Sequence, residues 1–197
     1  MFVAEEKYPL VRLDKVSDIS GGLTKNPKRP MFNKKMEYLR VANVMFDCID
    51  LSDIQTIGVQ ENEIEKAMLQ SGDVLFVEGN GSPDQIGRVA VWDGQREPML
   101  HQNHIIKARP DGNKVLSKYM MFYFMTTNGR EQILSSARTT SGLYTLSLSK
   151  IAGFQIPLAP ISEQMKFMKL VEQSDKSKYL LQRRLGQLRY KERYIGG

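Results

Sequence analysis

The sequence contains very little cysteine and histidine, and this scarcity removes several kinds of site. Its 197 residues include one cysteine, Cys48, and two histidines, His101 and His104. A single cysteine cannot build an internal disulfide framework and fits a reducing compartment, so a cytoplasmic protein is expected. Cys48 itself is interpreted as a small buried hydrophobic residue rather than as a nucleophile.

Long apolar runs are also absent. No stretch approaches the roughly 18 consecutive apolar residues of a membrane-spanning helix. The first ten residues, MFVAEEKYPL, are acidic and lack the basic-then-apolar layout of a signal peptide. The apolar fraction of 41% and the charged fraction of 25% are ordinary values for a globular chain. The sequence therefore predicts no membrane association, and its length suits one domain, or one domain with an appendage.

Catalytic motifs are equally scarce. No GxxxxGK[ST] motif occurs, which excludes a P-loop ATPase. No Asn-Pro-Pro-aromatic motif and no glycine-rich methyl-donor loop occur, so a self-contained DNA methyltransferase is not expected. Pro83-Asp84 could begin a PD…(D/E)xK nuclease site, but no strand with the second half follows. We predict a chain without catalytic residues or a cofactor. An enzyme whose site is dispersed through the sequence is the alternative.

The segment HQNHIIK places His101 and His104 three residues apart. Two histidines could hold a metal ion, but no cysteine or acidic residue stands nearby in the sequence. On a strand, the odd spacing would also put them on opposite faces. A polar rim that reads bases or phosphates suits the segment better, because glutamine and asparagine offer paired donor and acceptor groups. No metal site is predicted.

Positive charge is what the sequence has in excess, and it is unevenly distributed. The net charge is +6. Residues 24–36, TKNPKRPMFNKKM, contain five cations and no acid, and residues 161–197 contain nine cations and four acids. Residues 47–78 contain eight acids and a single cation, Lys66. This asymmetry predicts a basic face that suits a polyanion such as nucleic acid. A solvated surface that only keeps the chain in solution explains the charge equally well.

Hydrophobic patterning predicts strands in the middle of the chain and helices towards its end, which makes α+β the expected fold class. Strands are predicted at residues 38–44, 73–78, 86–92, 104–109 and 154–156. Helices are predicted at residues 62–69, 116–127 and 129–137. These elements form one compact mixed domain, residues 1–160.

Residues 161–197 have the pattern of one long helix that starts after Pro157 and Pro160. A helix from residue 162 to residue 190 would be roughly 43 Å long, at about 1.5 Å per residue. Its apolar residues recur at spacings of four and three, as in a coiled coil. They are Phe167, Val171, Leu181, Leu185 and Leu188, with Ser174 and Lys178 between them. Such a rod needs another helix to cover its stripe, so dimerisation is predicted. A terminal helix packed on its own domain is the alternative.

Five segments, in the same order, resemble the DNA-specificity subunits of type I restriction–modification systems. They are YPLVRLDKVSDISGGLT, YLRVANV, SGDVLFVEGNGSPDQIGRVAVW, HQNHIIKARP and SLSKIAGFQIPLAPISEQ. The last is the closest match, with a strand, an Ile-Pro pair, a second proline, a Glu-Gln pair and then the long helix. The resemblance covers almost the whole chain, which is identified as a member of this family.

In that family, two target-recognition domains lie at opposite ends of a pair of antiparallel helices, and each reads one half of a split DNA site. The helices set the spacing and dock modification subunits, while a separate motor–nuclease subunit cleaves DNA. The resemblance therefore implies a target-recognition domain over residues 1–160 and a dimerisation and spacer helix over residues 161–197. It also implies DNA-contacting residues: Lys25, Lys28, Arg29, Lys34 and Lys35 for phosphates, Asn80, Ser82 and Arg88 on or near a second loop, and Thr139, Thr140, Ser141 and Tyr144 in a donor-rich loop.

The chain carries one recognition domain and one long helix, where a full family member carries two of each. It is either a half-subunit that pairs with itself or a truncated product. A self-paired half-subunit would be a two-fold homodimer that binds double-stranded DNA, modification subunits and, through them, the motor–nuclease. The alternative function is a stand-alone dimeric DNA-binding regulator, which would not co-purify with a methyltransferase.

Overall fold

The computed structural model describes residues 7–79, 85–137 and 144–174. The strands are β1 (Leu10–Arg12), β2 (Ser17–Gly21), β3 (Lys35–Leu39), β4 (Gln55–Gly58), β5 (Val74–Val77), β6 (Val89–Val91), β7 (Leu100–His101), β8 (Ile105–Pro110) and β9 (Gln155–Pro157). The helices are α1 (Glu61–Ala67), α2 (Ser117–Met125), α3 (Thr127–Ala137), α4 (Leu148–Ala152) and α5 (residues 161–174). This mixture confirms the α+β class.

Four antiparallel strands, in the order β2-β8-β5-β6, form the largest sheet of the described residues. All four residues of β5 are buried, because both faces of this strand are covered. Leu75 and Val77 join an apolar cluster that contains Trp92. Phe76 points the other way, and its ring meets Phe124 of α2 edge-on at 5.2 Å. This burial on both faces explains the continuous apolar run of the segment.

A second sheet has the order β4-β3-β7, in which β3 pairs with β4 antiparallel and with β7 parallel. It packs through Tyr38, Ile57 and Leu100 in a cluster with Leu23 and with Ala67 of α1. This sheet carries one end of the lysine-rich segment that the sequence singles out, since β3 begins at Lys35.

A two-stranded sheet ties the start of the domain to its end, because β1 pairs antiparallel with β9. The backbone N–H of Leu158 donates to the carbonyl of Pro9 at 2.9 Å, and the Tyr119 hydroxyl of α2 donates to the carbonyl of Pro157 at 2.8 Å. Two separate parts of the chain, residues 9–12 and Tyr119, thus hold the residues that lead to α5.

The chain divides into two compact units, Met1–Ile161 and Ser162–Gly197. The first contains β1 to β9 and α1 to α4, and the second contains α5 from its second residue, Ser162. The roles assigned to the two parts, recognition domain and spacer helix, stay predictions.

The strand predicted at residues 38–44 is largely wrong. The strand β3 ends at Leu39, and Val41–Asn43 forms a 3-10 helix instead. The side chain of Asn43 accepts from the N–H of Arg40 at 2.8 Å and donates to the carbonyls of Asp50 and Asp53. Such side-chain bonds to the backbone compete with a strand ladder.

The expectation that Cys48 is buried is also wrong, because this residue is exposed. It lies in a tight turn in which the N–H of Met45 donates to the carbonyl of Cys48 at 3.0 Å, and Asp47 adopts a φ of 65°. Across the described ranges, no helix is both long enough and apolar enough to cross a membrane.

Candidate nucleic-acid interface

The lysine-rich loop, residues 24–35, is held in place by Arg29. This residue is only 4% exposed. Its Nε donates to the carbonyl of Thr24 at 2.6 Å, and its Nη1 donates to the carbonyl of Gly58 at 2.9 Å. The guanidinium also binds the Glu63 carboxylate of α1 at 3.0 and 3.1 Å, which lowers the pKa of Glu63. Arg29 therefore anchors the loop from inside, and this position argues against the phosphate contact predicted for it.

A close backbone approach fixes the other side of the loop. A Cβ atom at Gly58 would lie 1.9 Å from the carbonyl oxygen of Arg29 and 3.2 Å from the Cβ of Phe32. The N–H of Val59 donates to the carbonyl of Lys34 at 2.9 Å. The loop thus rests directly on β4, and only a residue without a side chain leaves room for it.

Three lysines of the loop, Lys25, Lys28 and Lys35, point into solvent. None of them makes an ion pair with any residue that the structure describes. Lys34 differs, because its Nζ lies 2.9 Å from the Glu61 carboxylate of α1. That pair is largely exposed and holds Lys34 only weakly. The loop therefore combines a fixed backbone with three uncompensated positive charges, which is what binding to phosphates requires.

Arg88 does not join this surface. It is 8% exposed, its Nη2 donates to the carbonyl of Val41 at 2.9 Å, and its Nη1 lies 3.5 Å from the Met45 sulfur. Burial lowers the pKa of Arg88. Its guanidinium supports the turn around Val41, so the predicted DNA contact does not fit its position.

Two other predicted DNA-facing segments are flanked by described residues that contact each other. One lies at residues 80–84 and the other at residues 138–143, and both are outside the described residues. The flanking residues are hydrogen-bonded to each other: the N–H of Leu146 donates to the carbonyl of Glu78 at 2.6 Å, and Gly79 forms an antiparallel bridge with Thr145. The predicted residues Asn80, Ser82, Thr139, Thr140 and Ser141 lie in these segments. Tyr144, the first described residue after the second segment, is half-buried.

The two histidines occupy different environments, but they do not share the strand on which the odd-spacing argument depends: β7 ends at His101, and His104 lies in the turn before β8. His104 is exposed, with its Nδ1 2.8 Å from the Glu78 carboxylate. His101 is fully buried, and its Nδ1 lies 2.9 Å from the carbonyl of Ile105. Burial lowers the pKa of His101 to about 4, so its ring is neutral at pH 7. A base-reading rim is therefore wrong for His101 and stays open for His104.

A buried charged network, which the sequence does not signal, uses the other cations of β8. Lys107 is 2% exposed, and its Nζ donates to the carbonyls of Lys66 and Met68 at the end of α1, at 3.0 and 2.9 Å. Arg109 binds the buried Asp73 carboxylate through two bonds of 2.7 and 2.9 Å, which raises the pKa of Arg109. These cations stabilise the fold rather than a ligand.

No cluster of three or more His, Cys, Asp or Glu side chains suited to a metal occurs in the described ranges.

The predicted dimerisation residues are only partly described. Phe167 and Val171 lie in α5 and are half-buried. Leu181, Leu185 and Leu188 lie outside the described residues.

The α+β fold and the exposed lysine-rich loop indicate a nucleic-acid-binding domain, and comparison with known proteins identifies its family. The family model for the type I restriction modification DNA specificity domain matches residues 5–189. The chain therefore belongs to this family, which confirms the family resemblance of the five sequence segments.

Two curated relatives are specificity subunits. The EcoKI type I restriction enzyme specificity subunit of Escherichia coli K12 is 27% identical over 159 residues, which cover 80% of this chain and 34% of the relative. The StySPI subunit of Salmonella potsdam is 26% identical over 158 residues, with the same two shares. The chain thus spans about a third of the length of these relatives. Their grouping as specificity subunits agrees with the prediction that the chain is not an enzyme.

Solved structures show the same fold. The crystal structure of the HsdS subunit from Thermoanaerobacter tengcongensis superimposes with a TM-score of 0.72 at 14% identity, over 97% of this chain and 48% of that chain. An S subunit from M. genitalium superimposes with a TM-score of 0.51 at 16% identity, over 96% of this chain and 45% of that chain.

Proposed function

We propose that this chain is a sequence-specific DNA-binding component of a type I restriction–modification system. It binds double-stranded DNA through the first compact unit, and pairs of such units read a split site. The observation that carries the proposal is the anchored basic loop, in which Lys25, Lys28 and Lys35 are exposed on a backbone fixed by Arg29 and Gly58. Membership in the specificity-domain family supports DNA as the polyanion.

In this proposal, different parts of the chain contact the phosphates and the bases. The lysines supply affinity that does not depend on sequence, because phosphates are the same along the duplex. Choice of sequence comes from the segments at residues 80–84 and 138–143, together with Tyr144 and His104. The hydrogen bond from the N–H of Leu146 to the carbonyl of Glu78 joins the described residues before the first segment to those after the second, which supports a shared role for the two segments in DNA reading.

Self-pairing through the C-terminal helix is the second part of the proposal. The helix brings two identical recognition units together and docks the modification subunits, and through them the motor–nuclease. Two-fold pairing presents the same reader to both half-sites, so the target is an inverted repeat with a spacer. Leu170 of α5 is 64% exposed, which supports a helix with apolar surface left to cover.

Replacing Lys28 and Lys35 together by alanine tests the phosphate contacts. We expect DNA binding to weaken by a similar factor for every duplex, and the slope of log K against log salt to fall by about 2, since each lost contact removes about one unit. Fluorescence anisotropy with labelled duplexes, from about 50 to 200 mM salt, measures both quantities.

The matched control replaces two exposed lysines on other elements, Lys15 and Lys118, by alanine. This control removes the same net charge but leaves the loop intact, so its salt slope should change less. An equal change in both double variants would show that only net charge matters, and the loop would then lose its role as a phosphate-binding surface.

Replacing Leu181 and Leu185 together by lysine tests self-pairing. Two buried charges in a coiled-coil seam are strongly unfavourable, so a dimer should become a monomer in multi-angle light scattering. Replacing Lys176 and Arg183, which lie off the predicted seam, by glutamine is the control and should leave the dimer intact. A wild-type chain that is monomeric at high concentration would instead favour a helix packed on its own domain.

A further inference from the structure

The anchored basic loop carries a large apolar side chain at its tip. Met31 is 79% exposed, the highest value among the large hydrophobic side chains of the described residues. It lies between the exposed Lys28 and Lys35 in sequence and ends the short 3-10 helix Arg29–Met31. An isolated exposed methionine is ordinary, but one at the centre of a phosphate-binding loop is not explained by charge.

The residues on both sides of Met31 are fixed by contacts with the rest of the domain. Arg29 is tied by its buried guanidinium, and Pro30 restricts the backbone between the two. Phe32 is half-buried and packs towards Gly58, at 3.2 Å from the position of a Cβ there. The N–H of Met31 itself donates to the carbonyl of Lys28 at 3.0 Å. The backbone that presents the side chain is therefore ordered before any ligand arrives, and ordering it on binding costs little entropy.

We propose that Met31 is a wedge that inserts between base pairs of the bound duplex from the minor groove. This inference rests on the proposed function, since it requires that the basic loop binds duplex DNA. Methionine is one of the apolar side chains that proteins insert between base steps, and neighbouring cations hold the adjacent phosphates while the step opens. A step that unstacks easily accepts the wedge better than a stiff one, so Met31 adds sequence preference without a hydrogen bond to any base.

The surroundings of Met31 favour duplex DNA over a protein helix as its partner. A docking surface for a protein helix needs a contiguous apolar patch, whereas Met31 is flanked by exposed lysines and by the polar Asn33. Its apolar neighbour Phe32 turns towards β4. A single exposed apolar side chain in a loop with exposed lysines matches a stacked polyanion, which offers apolar base faces between charged phosphates.

The test uses the full chain and a duplex selected by it from a randomised pool, with 2-aminopurine placed at each adenine in turn. Unstacking raises the fluorescence of this base. We expect the wild type to brighten one step, and Met31→Ala and Met31→Gln to abolish that signal and weaken binding about tenfold. Met31→Leu, which keeps an apolar side chain of similar size, should retain both. The salt slope should be the same in all four proteins, because no charge changes.

Leu10→Ala is the matched control, since Leu10 is an exposed apolar residue of β1 and should change neither readout. The proposal is overturned if the wild type binds the duplex without brightening any position, or if Met31→Ala keeps the signal and the affinity. It is equally overturned if Met31 matters only for binding to anionic lipid vesicles. If the wild type binds no duplex at all, the proposed function itself fails, which is a different result from loss of the wedge alone.

Discussion

Replacing Asp73 by alanine should destabilise the protein by about 3 kcal/mol and lower the Tm by roughly 10 °C. Asp73 is 1% exposed, and its carboxylate receives two bonds from Arg109 and one from the N–H of Gln70 at 2.8 Å. Its removal leaves the cations Arg109 and Lys107 close together without a compensating negative charge. The loss of a partner for a buried charge costs far more than the pair itself contributes. Thermal unfolding followed by circular dichroism measures the change.

The control for this prediction is Asp53→Ala. The Asp53 side chain is 69% exposed and pairs with Arg40 at the surface, so its removal should cost no more than about 1 kcal/mol. Similar losses in the two variants would mean that the network of Asp73 and β8 is no more important than an ordinary surface ion pair.

Replacing Gly58 by alanine should have two effects, a loss of about 2–3 kcal/mol in stability and a fall of roughly tenfold or more in DNA affinity. The new Cβ would lie 1.9 Å from the backbone oxygen of Arg29. Because the clashing atom belongs to the backbone, a change of side-chain rotamer cannot relieve the clash. The loop must shift, and the contacts of Arg29 with Gly58 and Glu63 are lost with it. Urea unfolding and fluorescence anisotropy measure the two effects.

Gly21→Ala provides the comparison, because a Cβ at Gly21 would meet no atom within 4 Å. Gly21 also lies in an extended strand, so alanine should be tolerated there with a small change in stability and none in DNA binding. If Gly58→Ala retains full affinity despite its loss of stability, the fixed seat of the loop is not needed for binding, and the lysines act without it.

Local patterning predicts much of this fold because periodicity and strong apolar runs are properties of neighbouring residues. The apolar run at residues 73–78 contains β5, and the helices α1, α2 and α3 lie within two residues of their predicted bounds. The strands β1, β2, β4 and β7 are missed. The strand β7 has two residues and exists only because β3 lies beside it, so no local pattern can reveal it.

The candidate site shows the same division between local and long-range information. Residues 24–36 stand out by charge alone, and this charge marks them as a candidate binding surface. The separate tasks of Lys28 and Arg29 do not stand out, because the two are adjacent cations in the same motif. One is exposed and the other is buried against Glu63, which lies in α1.

The sequence by itself determined the fold class, the family, the location of the basic segment and the scarcity of catalytic motifs. These depend on composition, periodicity and the order of short motifs, which do not depend on the tertiary contacts between distant segments. Only the tertiary structure decided which cations face solvent, that His101 is buried and His104 is exposed, and that Met31 is held at a fixed tip. Burial depends on which distant segment comes alongside, and here Gly58 and Glu63 turn a basic stretch into an anchored loop.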